Sequence, residues 1–320
     1  MRTNMKLVKK EHLLAVAVLA LGITASGSAS AAPPDAQSAA FRIPAQPFAD
    51  LRRDVARARA TDPRPFAMVT DIVALAPDAN ARARARRAPI ALYLAKLGPN
   101  ALMPMLEMLA LDPPRGVSAE AAPALRRELI EAVGLLHDAR GLPVLSGILD
   151  DKTEDEETTR TTTEAIARIG TDEAATKIVA ALATSHGERA RAIVAGMGEC
   201  RRLRVTEALA DRVRATTTDD ATARAAARAL GRSGNVWAWR AMADRTEEAR
   251  VRETAARALV ETFVHRNGEA RDAAATALLV VDAPQTPALI AEARKTVAPE
   301  TAKALDGLAA RFARNPVHLR

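Results

Sequence analysis

Six apolar residues, Leu97, Leu136, Ile169, Met197, Leu230 and Leu259, recur at separations of 39, 33, 28, 33 and 29 residues, and four of them are followed directly by glycine: Gly98, Gly170, Gly198 and Gly231. Apolar side chains stand three, four and seven positions upstream: Ile90, Tyr93 and Leu94 before Leu97, Leu129, Ala132 and Val133 before Leu136, Ala190, Ile193 and Val194 before Met197, and Ala223, Ala226 and Ala227 before Leu230. That is the 3.6-residue stripe of a helix buried along one face. A glycine just after the last stripe residue suits the left-handed position that ends a helix. Downstream a second helix carries its own stripe: Met103, Leu106 and Leu109, then Leu142, Leu145 and Ile148, then Val236, Trp239 and Met242. A helix pair repeated at this period cannot bury its faces alone, so neighbouring pairs must stack on one continuous core.

No stretch alternates in the manner of a strand, and β-branched runs are short, so the expected fold is all-α, a right-handed α-solenoid of antiparallel helix pairs. The segments ALADR at 208–212 and AMADR at 241–245 match at a separation of 33, which places both on second helices. The units ARAAARALGRSG, ending at Gly234, and TTEAIARIGTDEAATKIVAAL, ending at Leu182, resemble HEAT repeats. They resemble in particular the short bacterial kind related to phycobilisome-lyase HEAT-like repeats, whose first helix closes in Ala-Leu-Gly. The likeness spans about residues 84–252; an aspartate follows the turn at Asp172 but is replaced at Asn235, and the spacings drift. It implies a surface for protein-protein interaction.

Around this block the chain divides into a signal peptide at 1–31, a flexible leader at 32–47, the repeat domain at 48–314 and a C-terminal tail at 315–320. Residues 48–60 and 64–75 are read as an N-terminal helix pair broken at Asp62-Pro63, and residues 269–281, 286–296 and 299–314 as further helices, the last opened by Pro299. The start MRTNMKLVKKEH is basic; LLAVAVLALGITA is apolar but short of the roughly 20 residues a membrane span needs, and Ala29-Ser30-Ala31 is a small-x-small triplet. Cleavage is expected between Ala31 and Ala32, with export to the periplasm or medium and no stable membrane span afterwards. Loss of residues 1–31 removes four basic residues and one acidic residue, so the formal charge falls from +7 to +4. That excess is too mild to mark a polyanionic partner. Cys200 is alone, so no internal disulfide forms, and a small thiol filling a gap between helices is the expected role.

Candidate chemistry is sparse. His137, His186, His265 and His318 are never three or four apart, so no helical face presents a metal pair. The acidic loop at 150–159, with Asp150, Asp151, Glu154, Asp155, Glu156 and Glu157, lacks the glycine and alternating aspartates of a calcium loop and reads as a solvated segment before a helix start. In the run ARARARR at 81–87 arginines two apart lie about 200° from one another, which makes a solvated helix rather than a nucleic-acid stripe. Eight aromatic residues in the whole chain leave few platforms for bases. Gly231 and Gly234 follow no strand and make no phosphate loop. The expectation is therefore an exported scaffold that is not an enzyme, has no cofactor or metal, and binds an unidentified protein partner but no nucleic acid. The alternatives are a HEAT-related lyase or cofactor-handling protein, or a self-assembling envelope component. Candidate partner-binding residues are Trp237, Arg240 and Arg228. Trp237 and Trp239 are two apart on a helix and point to opposite sides; register with Leu106 and Leu145 puts Trp239 in the core, and register with Pro104 and Pro143 puts Trp237 at an exposed helix start.

Overall fold

The structure is a computed structural model that describes residues 48–74 and 89–315. The signal peptide, its cleavage point at Ala31 and Ala32, the leader, the 81–87 arginine run and residues 316–320 lie outside the described residues. The described residues form helices, turns and loops, with no strand among them. The described residues form an all-helical α-solenoid.

Two rows of helices run through it. The first row contains α3 (Ile90–Lys96), α5 (Ala122–Leu135), α7 (Glu156–Ile169), α9 (Gly187–Met197), α11 (Asp220–Ser233) and α14 (Gly268–Val281), each packed on the next. The second row contains α4 (Leu102–Ala110), α6 (Leu142–Asp150), α8 (Asp172–Ala183), α10 (Leu203–Arg214), α13 (Glu248–His265) and α15 (Thr286–Arg294), packed in the same sequence. At the N-terminal end α1 (Ala49–Thr61) packs on α4, and α2 (Arg64–Val73) packs on α3 and α4. At the other end α16 (Pro299–Ala313) packs on α15 and α14. The short α12 (Val236–Arg240) belongs to neither row.

The core is the surface where the rows meet. Leu94, Leu129, Ile166, Ile193, Leu230 and Leu278 from the first row meet Leu106, Leu145, Ile178, Leu209, Leu259 and Ile290 from the second, all buried. Alanine and glycine fill the contacts within the first row, which lets its backbones approach closely. A Cβ placed on Gly134 of α5 would lie 2.5 Å from the Cα of Ala165 on α7, and one on Gly231 of α11 would lie 2.8 Å from the Cβ of Ala277 on α14.

Helix starts follow from side-chain oxygens. Asp155, Thr171 and Asp219 accept the backbone N–H three residues on, at Thr158, Ala174 and Thr222. Helix ends are tied to neighbours by arginine, which supplies donors to the carbonyls that a helix leaves free at its C-terminus. Arg189 reaches Leu149 and Asp151 at the end of α6, Arg202 reaches Gly170 after α7 at 2.7 Å, Arg232 reaches Ala195 near the end of α9, and Arg266 reaches Ala215 after α10 at 2.7 Å. Much of the arginine content thus has a structural role that recurs from pair to pair.

Several expectations are corrected. Leu259 does not close a first-row helix: it lies inside the 18-residue α13, which fills the second-row place between α10 and α15. The repeat that begins with α11 therefore finds its partner helix late, and 236–247 is an insertion. No residue of AMADR is accordingly helical, since α12 ends at Arg240, although its counterpart ALADR lies within α10. Leu209 and Ala210 of α10 are buried in the core, whereas Met242 is 37% exposed and has no core to enter. The alignment of Trp237 with Pro104 fails for the same reason, Pro104 being buried in α4. Of the four closing glycines, Gly98 and Gly170 have φ of 75° and 70°, as a helix end requires. Gly198 has φ of −62° and Gly231 lies within α11, where close contact with Ala229 and Arg232, and with Ala277, explains the missing side chain. Tyr93 of the first stripe is 41% exposed. Packing also runs one residue into the stretch read as tail, since buried Asn315 donates from Nδ2 to the Leu279 carbonyl at 2.8 Å.

Candidate binding groove

The turns that follow α5, α7 and α9 lie on one edge of the stack, and the insertion folds against that edge. Together they line a concavity of about 400 Å³. Its walls are His137 from the first turn, Arg168 and Gly170 from the second, Glu199, Arg201 and Arg202 from the third, and Trp239, Met242, Asp244, Thr246 and Glu247 from the insertion.

The insertion is held by both its ends. The Trp239 indole is 1% exposed and packs with Leu203 and Val251 in a cluster separate from the main core. Its Nε1–H donates to the Ser233 carbonyl at 2.9 Å, which satisfies the one polar atom the ring carries into the interior. Asn235 caps α12 by accepting the N–H groups of Trp237 and Ala238. Asp244 accepts from the N–H and hydroxyl of Thr246, closing the turn. Glu247 then accepts the Leu203 N–H at the start of α10 at 2.5 Å and lies 3.5 Å from Arg202. A carboxylate at a helix N-terminus is doubly favoured, by the free N–H groups and by the helix dipole.

His137 has a φ of 53°, and its Nδ1 donates to the Arg168 carbonyl at 2.6 Å, which links the first two turns and fixes the proton on Nδ1. Of the groove carboxylates Glu247 and Asp244 are hydrogen-bonded as described, and Glu199 lies 3.7 Å from Arg232 without a hydrogen bond between them. The arginines differ. Arg202 is bonded to Gly170 and Glu247, but the Arg168 guanidinium meets Glu131 and Glu164 only at 3.9 and 4.0 Å, and its Nη1 is buried without a hydrogen-bond acceptor. Arg201 donates from Nη1 to the Glu199 carbonyl at 3.2 Å and has a buried Nε–H without an acceptor. Burial pulls the Arg201 guanidinium below its ordinary pKa, against the pull of nearby Glu199.

The structure separates the sequence-predicted residues. Trp237 is 43% exposed, and the Arg240 guanidinium lies 4.6 Å from its ring centroid, a cation–π pair on the surface of the insertion. Arg240 also lines a second concavity of about 410 Å³, with Arg252, Asp282 and Phe312. Arg228 is on α11 and lines a third one with Asp272 and Thr276 of α14, so it is not brought together with the other two. Sequence reasoning missed Arg168 and Arg201; each follows or precedes a turn by a residue or two, and only stacking shows that their turns adjoin.

The acidic loop is not simply solvated. Glu154 is buried and forms a two-pronged ion pair with buried Arg126 at 2.6 and 2.7 Å, Lys177 holds Asp150, and Arg191 holds Glu156. Among the described residues no group of His, Cys, Asp and Glu is arranged to hold a metal ion, and no helix is long and apolar enough to cross a membrane. Cys200 is fully buried, and burial pushes its thiol pKa up to about 11, so the side chain is a packing residue.

The family model for HEAT repeats matches residues 116–198, the stretch from the start of the α5 repeat through α9. No curated protein sequence matches. Among solved structures, human deoxyhypusine hydroxylase in complex with glycerol matches at 19% identity over 77% of this chain and 97% of that one, with a TM-score of 0.33. That protein's name is an enzyme's, and the expectation that this chain is not an enzyme is withdrawn, because a helical-repeat fold does not by itself exclude catalysis. At that TM-score nothing else is carried from it to this chain. Residues 116–198 thus match HEAT repeats, within a stack of helix pairs that runs through the described residues.

Proposed function

We propose that the protein is an exported binding scaffold that holds a segment of a protein partner in the groove between the repeat turns and the insertion 236–247. The observation that carries this reading is the joint lining of one concavity by three successive turns and an insertion that departs from the repeat. A volume of about 400 Å³ with both apolar and charged walls is in the range of recognition pockets. Trp237 and Arg240 stand exposed on the same insertion, and tryptophan and arginine are the residue types most enriched among interface anchors. Export rests on the basic start, the short apolar run and the small-x-small triplet of the first 31 residues.

Native purification of the tagged full chain from the envelope and medium of cells that make it tests the reading. A protein partner should come with the wild-type chain and be lost from Trp237→Ala, and mass analysis should find Ala32 at the N-terminus. A coloured or metal-bearing monomer would favour a cofactor-handling protein instead. Concentration-dependent polymers would favour a self-assembling envelope component, and a retained Met1 would overturn the export.

A further inference from the structure

Most half-buried arginines of this protein are used up in the fold. Arg126 is paired with Glu154, Arg160 with Glu157 and Glu164, Arg252 with Glu248, and Arg189, Arg202 and Arg266 with helix-end carbonyls. Arg168 and Arg201 line one groove from adjacent turns and keep buried N–H groups without acceptors. A buried donor left unmade is costly, and the cost is relieved by any acceptor that enters. Nothing in the groove supplies one. Glu247 is committed to the start of α10 and Asp244 to Thr246, while the Glu199 carboxylate lies 3.7 Å from Arg232, and those of Glu131 and Glu164 lie 3.9 and 4.0 Å from Arg168, all beyond hydrogen-bond distance. The two arginines therefore bring buried donors that no acceptor of the fold reaches, and a donor on a guanidinium is the complement of a carboxylate. Beside it lie Leu135, Ile169, Trp239 and the exposed Met242, an apolar lining that a free small anion would leave unused.

We propose that the groove recognises an acidic-apolar peptide segment, with a Glu or Asp carboxylate seated between Arg168 and Arg201 and the adjoining apolar side chain laid on Met242 and the Trp239 wall. This rests on the reading of the groove as a protein-binding site and names the chemistry of what it binds. The segment belongs to a protein partner because the charged and apolar walls adjoin within one concavity, and a peptide offers both groups a residue or two apart.

The test uses the full chain and a short fluorescein-labelled peptide of alternating leucine and glutamate, followed by fluorescence anisotropy. The wild-type chain should bind it, and binding should weaken about tenfold or more in Arg201→Gln and in Arg168→Gln, the loss expected for a charge-assisted hydrogen bond. Arg257→Gln, on the exposed face of α13 where it pairs with Glu253, should bind as wild type. Helical circular dichroism and unchanged urea midpoints check that the variants fold. Absence of binding, equal binding of a leucine-glutamine peptide, undiminished binding by either groove variant, or full displacement by glutarate at the peptide's own concentration would each overturn the proposal. If the proposal fails in this way while a native partner still co-purifies and is lost with Trp237→Ala, the binding scaffold stands and only its carboxylate chemistry falls.

Discussion

The indole Nε1–H of Trp239 donates to the carbonyl oxygen of Ser233 at 2.9 Å, from a ring that is 1% exposed and wedged against Leu203 and Val251. This contact turns the chain back at the end of α11 and pins the insertion over the starts of α10 and α13. Trp239→Ala should therefore cost about 3–5 kcal/mol, as for other buried aromatic truncations. Trp239→Phe should retain most of the packing and lose chiefly the hydrogen bond, about 1 kcal/mol. Trp237→Ala, at the exposed neighbour, should stay within about 0.5 kcal/mol of wild type. Urea unfolding followed by circular dichroism ranks the three, and a Trp237→Ala loss equal to that of Trp239→Ala would refute the assignment.

The Arg126–Glu154 pair ties α5 to the loop before α7, and both side chains are about 5% exposed. Removing one partner leaves the other charge buried, so Arg126→Met and Glu154→Gln should each destabilise by about 3–5 kcal/mol. The double variant should recover much of that loss. Additive losses in this double-mutant cycle would show that the two groups do not act as a pair.

Glycine at 134 and glycine at 307 make opposite demands. A methyl on Gly134 would meet the Ala165 backbone at 2.5 Å, whereas Gly307 of α16 has nothing within 4 Å. Gly134→Ala should thus force α5 and α7 apart and cost about 1–3 kcal/mol. Gly307→Ala should stabilise by about 0.5–1 kcal/mol, since it removes backbone freedom from an exposed helix interior. Thermal unfolding of the two variants should move in opposite directions, and a stabilising Gly134→Ala would contradict the close helix contact.

The acid limb of stability should depend on the helix caps. The N–H and hydroxyl of Thr222 hold the Asp219 carboxyl below its ordinary pKa. Burial raises Asp155, but its bonds to Thr158 outweigh that and leave its pKa depressed as well. A depressed carboxylate contributes stability that is present above its unfolded pKa, about 3.9, and is lost as pH falls through the folded value. Glu128 and Glu164 act in the other sense: burial raises their pKa, so stability rises slightly as pH falls toward about 4.5 and they take up protons. Asp219→Asn should keep the cap and flatten the fall below about pH 4. Equal acid midpoints for wild type and variant would exclude Asp219 as a contributor.

Cys200 should be inert in the folded chain. Its pKa of about 11 and complete burial keep it a thiol out of reach at pH 8. Iodoacetamide should leave it unmodified until urea is added, as mass analysis would show. Rapid labelling without denaturant would place it at the surface.

Local pattern carried the fold a long way. The closing residues Leu97, Leu136, Ile169, Met197 and Leu230 fall at or near the ends of first-row helices, whereas Leu259 lies inside α13. The break at Asp62-Pro63 and the start at Pro299 are both observed. The groove was much less legible. Arg168 and Arg201 stand 33 residues apart in a chain full of arginine, and nothing in their neighbours distinguishes them from Arg189 or Arg266.

By itself the sequence determined that this protein is helical, that its helices come in pairs, and that Trp239 turns inward where Trp237 turns outward. Helicity and the opposed facing of the two tryptophans follow from the 3.6-residue period, a property of adjacent residues, and the pairing follows from the recurrence of the stripes. The tertiary structure decided which row each helix joins. AMADR and ALADR share a local pattern, yet only the second is helical, because α13 occupies the place beside α10 where AMADR would have to be buried. It also decided that Gly231 serves close approach rather than a turn, and that three turns and an insertion enclose one groove. Those outcomes depend on contacts between residues some 30 to 50 positions apart, set by which faces remain to be covered once the stack is built.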